Sequence, residues 1–215
     1  GEKFVYGYNT DILGVVIERA SGKPLDVFMS DRVFKPLGMN DTYFYLPKEK
    51  SSRFATVYSV EKNGPVTRAP DPGKMTGQGM YVDGPRKSFS GGAGILSTAR
   101  DYAAFLSMML NKGVHNGKRI LSRKSVELMT VDHLRSIPYG DGTGFGLGFE
   151  VTDGMGARGR LGSEGEFGWG GAYHSTYWVD PKEDLVVVYF TQLIPAGTID
   201  DHGKLRALIY QSIVD

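Results

Sequence analysis

The hydrophobic period of this chain changes near residue 135, from helical spacing to strand alternation, and that change limits the folds open to it. Upstream, Ile12, Val15, Val16 and Arg19 follow helical spacing over 9–21, with Asn9 or Thr10 as caps and Gly22 as a stop. Pro24 opens a second helix with Leu25, Phe28, Met29 and Val33 on one face, and Pro36-Leu37-Gly38-Met39 reads as a turn. Residues 45–90, rich in Pro, Gly, Lys and Ser, read as a long excursion with short strands. Thr98 followed three residues later by Asp101 reads as a capping box for a helix carrying Tyr102, Phe105, Leu106, Met109 and Leu110 up to Gly113. A short helix over 122–130 follows.

Downstream, Phe145–Val151, Leu161–Gly165, Ala172–Val179 and Asp184–Thr191 alternate and read as antiparallel strands, with Asp180-Pro181-Lys182-Glu183 as a hairpin turn. Leu205, Leu208, Ile209 and Ile213 mark a closing amphipathic helix over 201–213. Helices first and a sheet afterwards predict an α+β fold. Its helical lobe is expected over 1–135, and its antiparallel sheet with a final helix over 136–215, as parts of one domain.

Composition narrows the function classes. A net charge of +1 offers no electrostatic footprint for nucleic acid or an anionic membrane, and no basic run or stacking-aromatic pattern accompanies it. Without cysteine these 215 residues hold no disulfide, thiolate zinc site or cysteine nucleophile. The longest apolar runs, such as Leu185–Phe190, are far too short for a transmembrane helix. No metal or organic cofactor is implied. His115, His133 and His202 are scattered and show no metal-ligand spacing in sequence.

Two segments carry candidate chemistry. Phe4-Val5-Tyr6-Gly7-Tyr8-Asn9 runs into Asp11-Ile12-Leu13-Gly14, and Phe167-Gly168-Trp169-Gly170-Gly171-Ala172-Tyr173-His174 lies in the sheet region. Glycines inside a strand mark close approach of a ligand or of another backbone. Between these segments lie Ser21-Gly22-Lys23-Pro24-Leu25, Pro36-Leu37-Gly38-Met39, Ser90-Gly91-Gly92-Ala93-Gly94, Arg119-Ile120-Leu121-Ser122 and Phe145-Gly146-Leu147-Gly148-Phe149. Asp180-Pro181 and Thr191-Gln192 close the series. In this order and spacing the set resembles the serine β-lactamase and penicillin-binding-protein-like superfamily. It looks most like the class C β-lactamase-like family VIII carboxylesterases.

The resemblance implies a β-lactamase-like fold and a serine hydrolase, an esterase acting through an acyl-enzyme on a small-molecule ester or amide. Tyr6 matches the family's catalytic tyrosine, a general base for the serine hydroxyl, with Tyr8 as the neighbouring alternative. A phenol with an ordinary pKa of about 10 needs a nearby cation to act as a base. Taken alone, Tyr6 reads more simply as a packing residue at a helix start. Trp169, Gly170, Gly171 and Ala172 match the strand that edges the site, where the Ala172 amide would be one oxyanion donor. Tyr8, Asn9 and His174 are candidate substrate contacts. Within a strand next to a site, His174 is more simply a hydrogen-bonded structural residue than part of a Ser-His-Asp triad, and close relatives tend to carry a small residue there.

Two departures from the family pattern shape the substrate reading. Tyr8 stands where a β-lactamase Tyr-x-Asn box has its Asn, and Trp169 replaces a lysine that would bind a substrate carboxylate. Both favour neutral esters over carboxylated lactams, although Arg158 or Arg160 could restore a positive charge. A D-Ala-D-Ala peptidase or β-lactamase, and a non-catalytic binding module of the same fold, are the alternatives. The nucleophile's Ser-x-x-Lys box is expected on a companion N-terminal segment, without which this chain would be inactive. Ser59-Val60-Glu61-Lys62 has the spacing but falls after Tyr6 and runs into an Asn63-Gly64-Pro65 turn, so it reads as a chance match. The compartment is open, with export suggested only by the resemblance.

Overall fold

The computed structural model describes residues 1–61, 64–71 and 78–214. Helix α1 (Asn9–Ser21) leads into α2 (Leu25–Met29), which continues through a π-helical turn, Ser30–Phe34, into α3 (Lys35–Leu37). A 3₁₀ turn (Lys48–Arg53) and the hairpin β1 (Tyr58–Val60) with β2 (Val66–Arg68) occupy the excursion. Then come α4 (Ala99–Leu110), the small hairpin β3 (Val114–His115) with β4 (Lys118–Arg119), and α5 (Arg123–Met129). The main sheet is an antiparallel meander of β5 (Thr143–Phe145), β6 (Glu150–Thr152), β7 (Phe167–Gly171), β8 (Ser175–Asp180) and β9 (Leu185–Tyr189), in that spatial order. The short α6 (Met155–Arg158) links β6 to β7, and α7 (Asp201–Tyr210) closes the described chain. Among the described residues no helix is long and apolar enough to cross a membrane. The mixture of helices and antiparallel sheet is the α+β arrangement that the change of period implies.

Strand alternation puts the two faces of β8 to different uses. Tyr177 and Val179 join the main core with Leu106, Met108 and Met109 of α4, while Trp178 lies under Arg206 and Tyr210 of α7. The sheet is thus covered by α4 on one face and α7 on the other. The same core takes in Leu25, Phe34 and Leu37, so helices and sheet share one apolar interior.

Several local expectations change. Phe145–Val151 is not one strand but the two arms of a tight hairpin: Phe145 pairs with Glu150, and Gly148 turns the chain at φ 96°. Leu161–Gly165 is a loop; the strand begins at Phe167, two residues past Gly165 with its φ of 88°. Helix α1 has no side-chain cap, and its apolar residues point outward: Ile12, Leu13, Val15 and Val16 are each more than half exposed. Its inward face is Gly14, against Leu25 and Gly91, with Ile17 packed on the core one turn later. Helix α7 likewise buries Arg206 and leaves Leu208 exposed. Thr98 does cap α4, accepting from the Asp101 amide at 3.2 Å, but the Asp101 carboxylate takes the Asp41 amide and the Thr42 hydroxyl instead of closing a box.

Candidate active site

The N-terminal segment reaches the sheet through aromatic packing. Phe4 lies 5.0 Å from both Tyr139 and Phe145, and Phe145 meets Trp169 edge-on at 5.0 Å. This row sets Tyr6 against Trp169, ring centroids 5.8 Å apart. The glycine run fixes α1 from behind. A Cβ on Gly91 would lie 2.2 Å from the Thr10 carbonyl oxygen, so the two backbones meet at a distance open only to glycine. Ser90 donates to Asp11 at 2.5 Å across the same contact.

Tyr6, Trp169, Gly170, Gly171, Ala172 and His174 all line one open cleft of about 1070 Å³. Tyr8 and Asn9 lie at the start of α1, exposed to solvent and away from that lining. Along β7, strand β6 pairs with Phe167 and Gly168 alone, so among the described residues the Trp169–Gly171 stretch has a free edge on that side. Gly170 and Gly171 are exposed, and among the described residues nothing accepts from the Ala172 amide. A strand edge without side chains, ending in an unused N–H donor, can hold an extended acyl group and polarise its carbonyl. Ser59 sits on β1, outside the cleft, and Lys62 lies outside the described residues.

The cations near this edge are mostly committed. Arg158 donates to Glu150 and Glu166, each at 2.9 Å, and also to Thr152. Arg206 pairs with Glu166, donates to the Leu161 carbonyl at 2.7 Å and covers Trp178. Tyr210 donates to Glu166 at 2.7 Å and to Asp180 at 2.8 Å; burial first, then Glu166, pushes its phenol well above the ordinary range. Arg160 lines the cleft, is exposed, and has no carboxylate partner among the described residues.

His174 sits in the β7–β8 turn with a left-handed backbone, φ 62°. Its Nε2 lies 2.6 Å from Asp201 Oδ1, and His202 stacks on its ring at 3.9 Å. Among the described residues no hydroxyl nucleophile completes a triad with this pair: neighbouring Ser175 donates to the Thr191 carbonyl. Sequence spacing separated His174 from His202 by most of the last strand pair and a loop. The packing of α7 against the hairpin brings them together. The signals missed in sequence were Phe4, Tyr139 and the Asp201-His202 pair at the start of α7.

A family model described as Beta-lactamase matches residues 1–210. Protein Rv1367c of Mycobacterium tuberculosis is 33% identical over 213 residues, covering 93% of this chain and 51% of its own length. Esterase EstB of Burkholderia gladioli is 30% identical over 211 residues, covering 92% of this chain and 51% of its own. Among solved structures, EstCE1, a hydrolase with promiscuous acyltransferase activity, matches with a TM-score of 0.80 at 25% identity, over 97% of this chain and 56% of its own. The chain spans about half the length of the curated relatives it matches.

Proposed function

The chain belongs to the Beta-lactamase family, and from that premise we propose that it supplies the tyrosine base and the oxyanion strand of a serine esterase working through an acyl-enzyme. The observation that carries the reading is the meeting of Tyr6 with Trp169–Ala172 in one cleft, from opposite ends of the sequence. A base must lie within hydrogen-bond reach of the hydroxyl it activates, and an amide donor must face the oxygen that becomes negative. A serine entering between Tyr6 and the free edge of β7 would meet both.

The nucleophile is proposed to be the serine of a Ser-x-x-Lys helix outside these 215 residues. Its lysine would supply the cation that makes Tyr6 basic. Ser59 does not line the cleft, which supports this, and the outward apolar face of α1 gives such a helix a surface to pack on. Trp169 supports a neutral acyl or alkoxy group, since an indole offers an apolar wall and no charge.

The test uses the protein together with its Ser-x-x-Lys segment. A fluorophosphonate probe should label that serine, and p-nitrophenyl butyrate should be hydrolysed faster than nitrocefin. Tyr6→Phe should lower kcat by about 10²–10⁴-fold with KM little changed. A Tyr6→Phe enzyme as fast as the wild type would overturn the assignment of the base, and preferential turnover of nitrocefin would replace the esterase reading with a β-lactamase one.

A further inference from the structure

We propose that His174, Asp201 and His202 form a binding site for a divalent transition-metal ion of the zinc type, at the rim of the cleft beside the Ala172 amide. One donor atom from each of the three residues falls within a set spanning no more than 4.8 Å. A tetrahedral zinc ion with bonds of about 2 Å bridges donors a little over 3 Å apart. That spacing lies between the 2.6 Å of the His174–Asp201 contact and the outer limit of the set. All three residues are partly buried, and both imidazoles line the cleft, so an ion held there would keep a face open to solvent or substrate.

The surroundings resemble those of a ligand set more than those of a surface hydrogen bond. Tyr189 donates to Asp201 Oδ2 at 2.9 Å, and the His202 amide donates to Oδ1 at 3.0 Å, which fixes the carboxylate. Such outer partners orient metal ligands. His174 holds a left-handed backbone disfavoured for any residue with a side chain, and Thr191 Oγ1 donates to its carbonyl at 2.5 Å, clamping that geometry. Backbone held in a sparsely populated region is a feature of ligand-binding positions. Two imidazoles and one carboxylate are a donor set suited to zinc. A neutral imidazole that ligates through Nε2 carries its proton on Nδ1, so binding would exchange the His174–Asp201 hydrogen bond for a bond from each residue to the ion. A dication on one carboxylate leaves net positive charge beside Ala172, on an edge where Trp169 supplies none.

The inference stands apart from the esterase reading, because its readout is metal binding alone. Zinc chloride is titrated calorimetrically into the chelator-treated protein, and cobalt(II) is added separately to read its visible ligand-field band. The expected result is saturable binding at one ion per chain, a rise in Tm and a cobalt band of tetrahedral intensity. His174→Gly, which suits the left-handed backbone, and His202→Gln, which keeps a donor for the His174 carbonyl, should each weaken zinc by at least about tenfold. His133→Ala, remote from the cluster, should bind zinc like the wild type. Absence of saturable binding in the wild type, or equal affinity in both cluster variants, overturns the site and leaves a hydrogen-bonded latch between α7 and the hairpin.

Discussion

Glu166 shows how one side chain can hold a layer of this fold. It is 2% exposed and accepts from Arg158, Arg206 and Tyr210, which come from α6 and α7. Replacing it with Leu leaves two nearly buried guanidinium groups without their shared anion. The expected cost is about 3–5 kcal/mol, read as a lower urea midpoint with unchanged m-value. Glu166→Gln keeps an acceptor and should lose less. None of this was legible in sequence, where the closing helix was read from Leu205, Leu208, Ile209 and Ile213 alone. The pattern of apolar residues cannot report a buried ion network, because its members are polar by composition and become interior only by pairing.

At the scale of elements, turns and close approaches set positions that helix and strand patterns leave open. Gly91 holds α1 at backbone contact. In Gly91→Ala the new Cβ would meet the Thr10 oxygen, so the start of α1 must move and Tyr6 with it. A displacement of about 1 Å at a catalytic group can cost about 100-fold. On the proposed role of Tyr6, ester hydrolysis by Gly91→Ala, assayed together with the Ser-x-x-Lys segment, should fall by that order, while circular dichroism shows the fold retained. Asp132 plays the same part at the β5 hairpin. Burial works against its ionisation, but the amides of Leu134, Phe145 and Arg135 outweigh burial and hold its carboxyl below the usual range. Its contribution is therefore present above the unfolded pKa of about 4 and is lost as pH falls through the lowered folded value. Asp132→Ala should cost about 1–3 kcal/mol at neutral pH, with a shallower acid limb in urea melts. The strand expected over Phe145–Val151 failed for a related reason. Gly146-Leu147-Gly148 alternates in hydropathy like a strand, yet Gly148 takes a φ that reverses the chain.

Across the whole molecule, a set of tyrosines joins the N-terminal segment, the sheet and the helices. Burial, then Glu150, pushes the Tyr139 phenol up to about 12, and burial above all raises Tyr102 and Tyr177. A raised folded pKa gives stability that is complete below about pH 10 and, for Tyr139, is lost as pH rises from about 10 to about 12. The tyrosinate absorbance of the native protein should lag that of the urea-unfolded chain across this window. Tyr139→Phe should remove part of the lag; an identical titration would show that Tyr139 is not held in its protonated form. The sequence by itself determined the fold class and the helices over 98–113 and 122–130, because these rest on local spacing, while the glycine-lined strand was marked by the family resemblance rather than by its period. It also marked Tyr6 and Trp169 as partners in family-like motifs. Only the tertiary structure decided that Phe4 and Tyr139 seat Tyr6 on Trp169, that α1 turns its apolar face outward, and that His174 meets Asp201 and His202. Those contacts join residues far apart in the chain, and their spacing in space is set by how layers pack rather than by any period along the sequence.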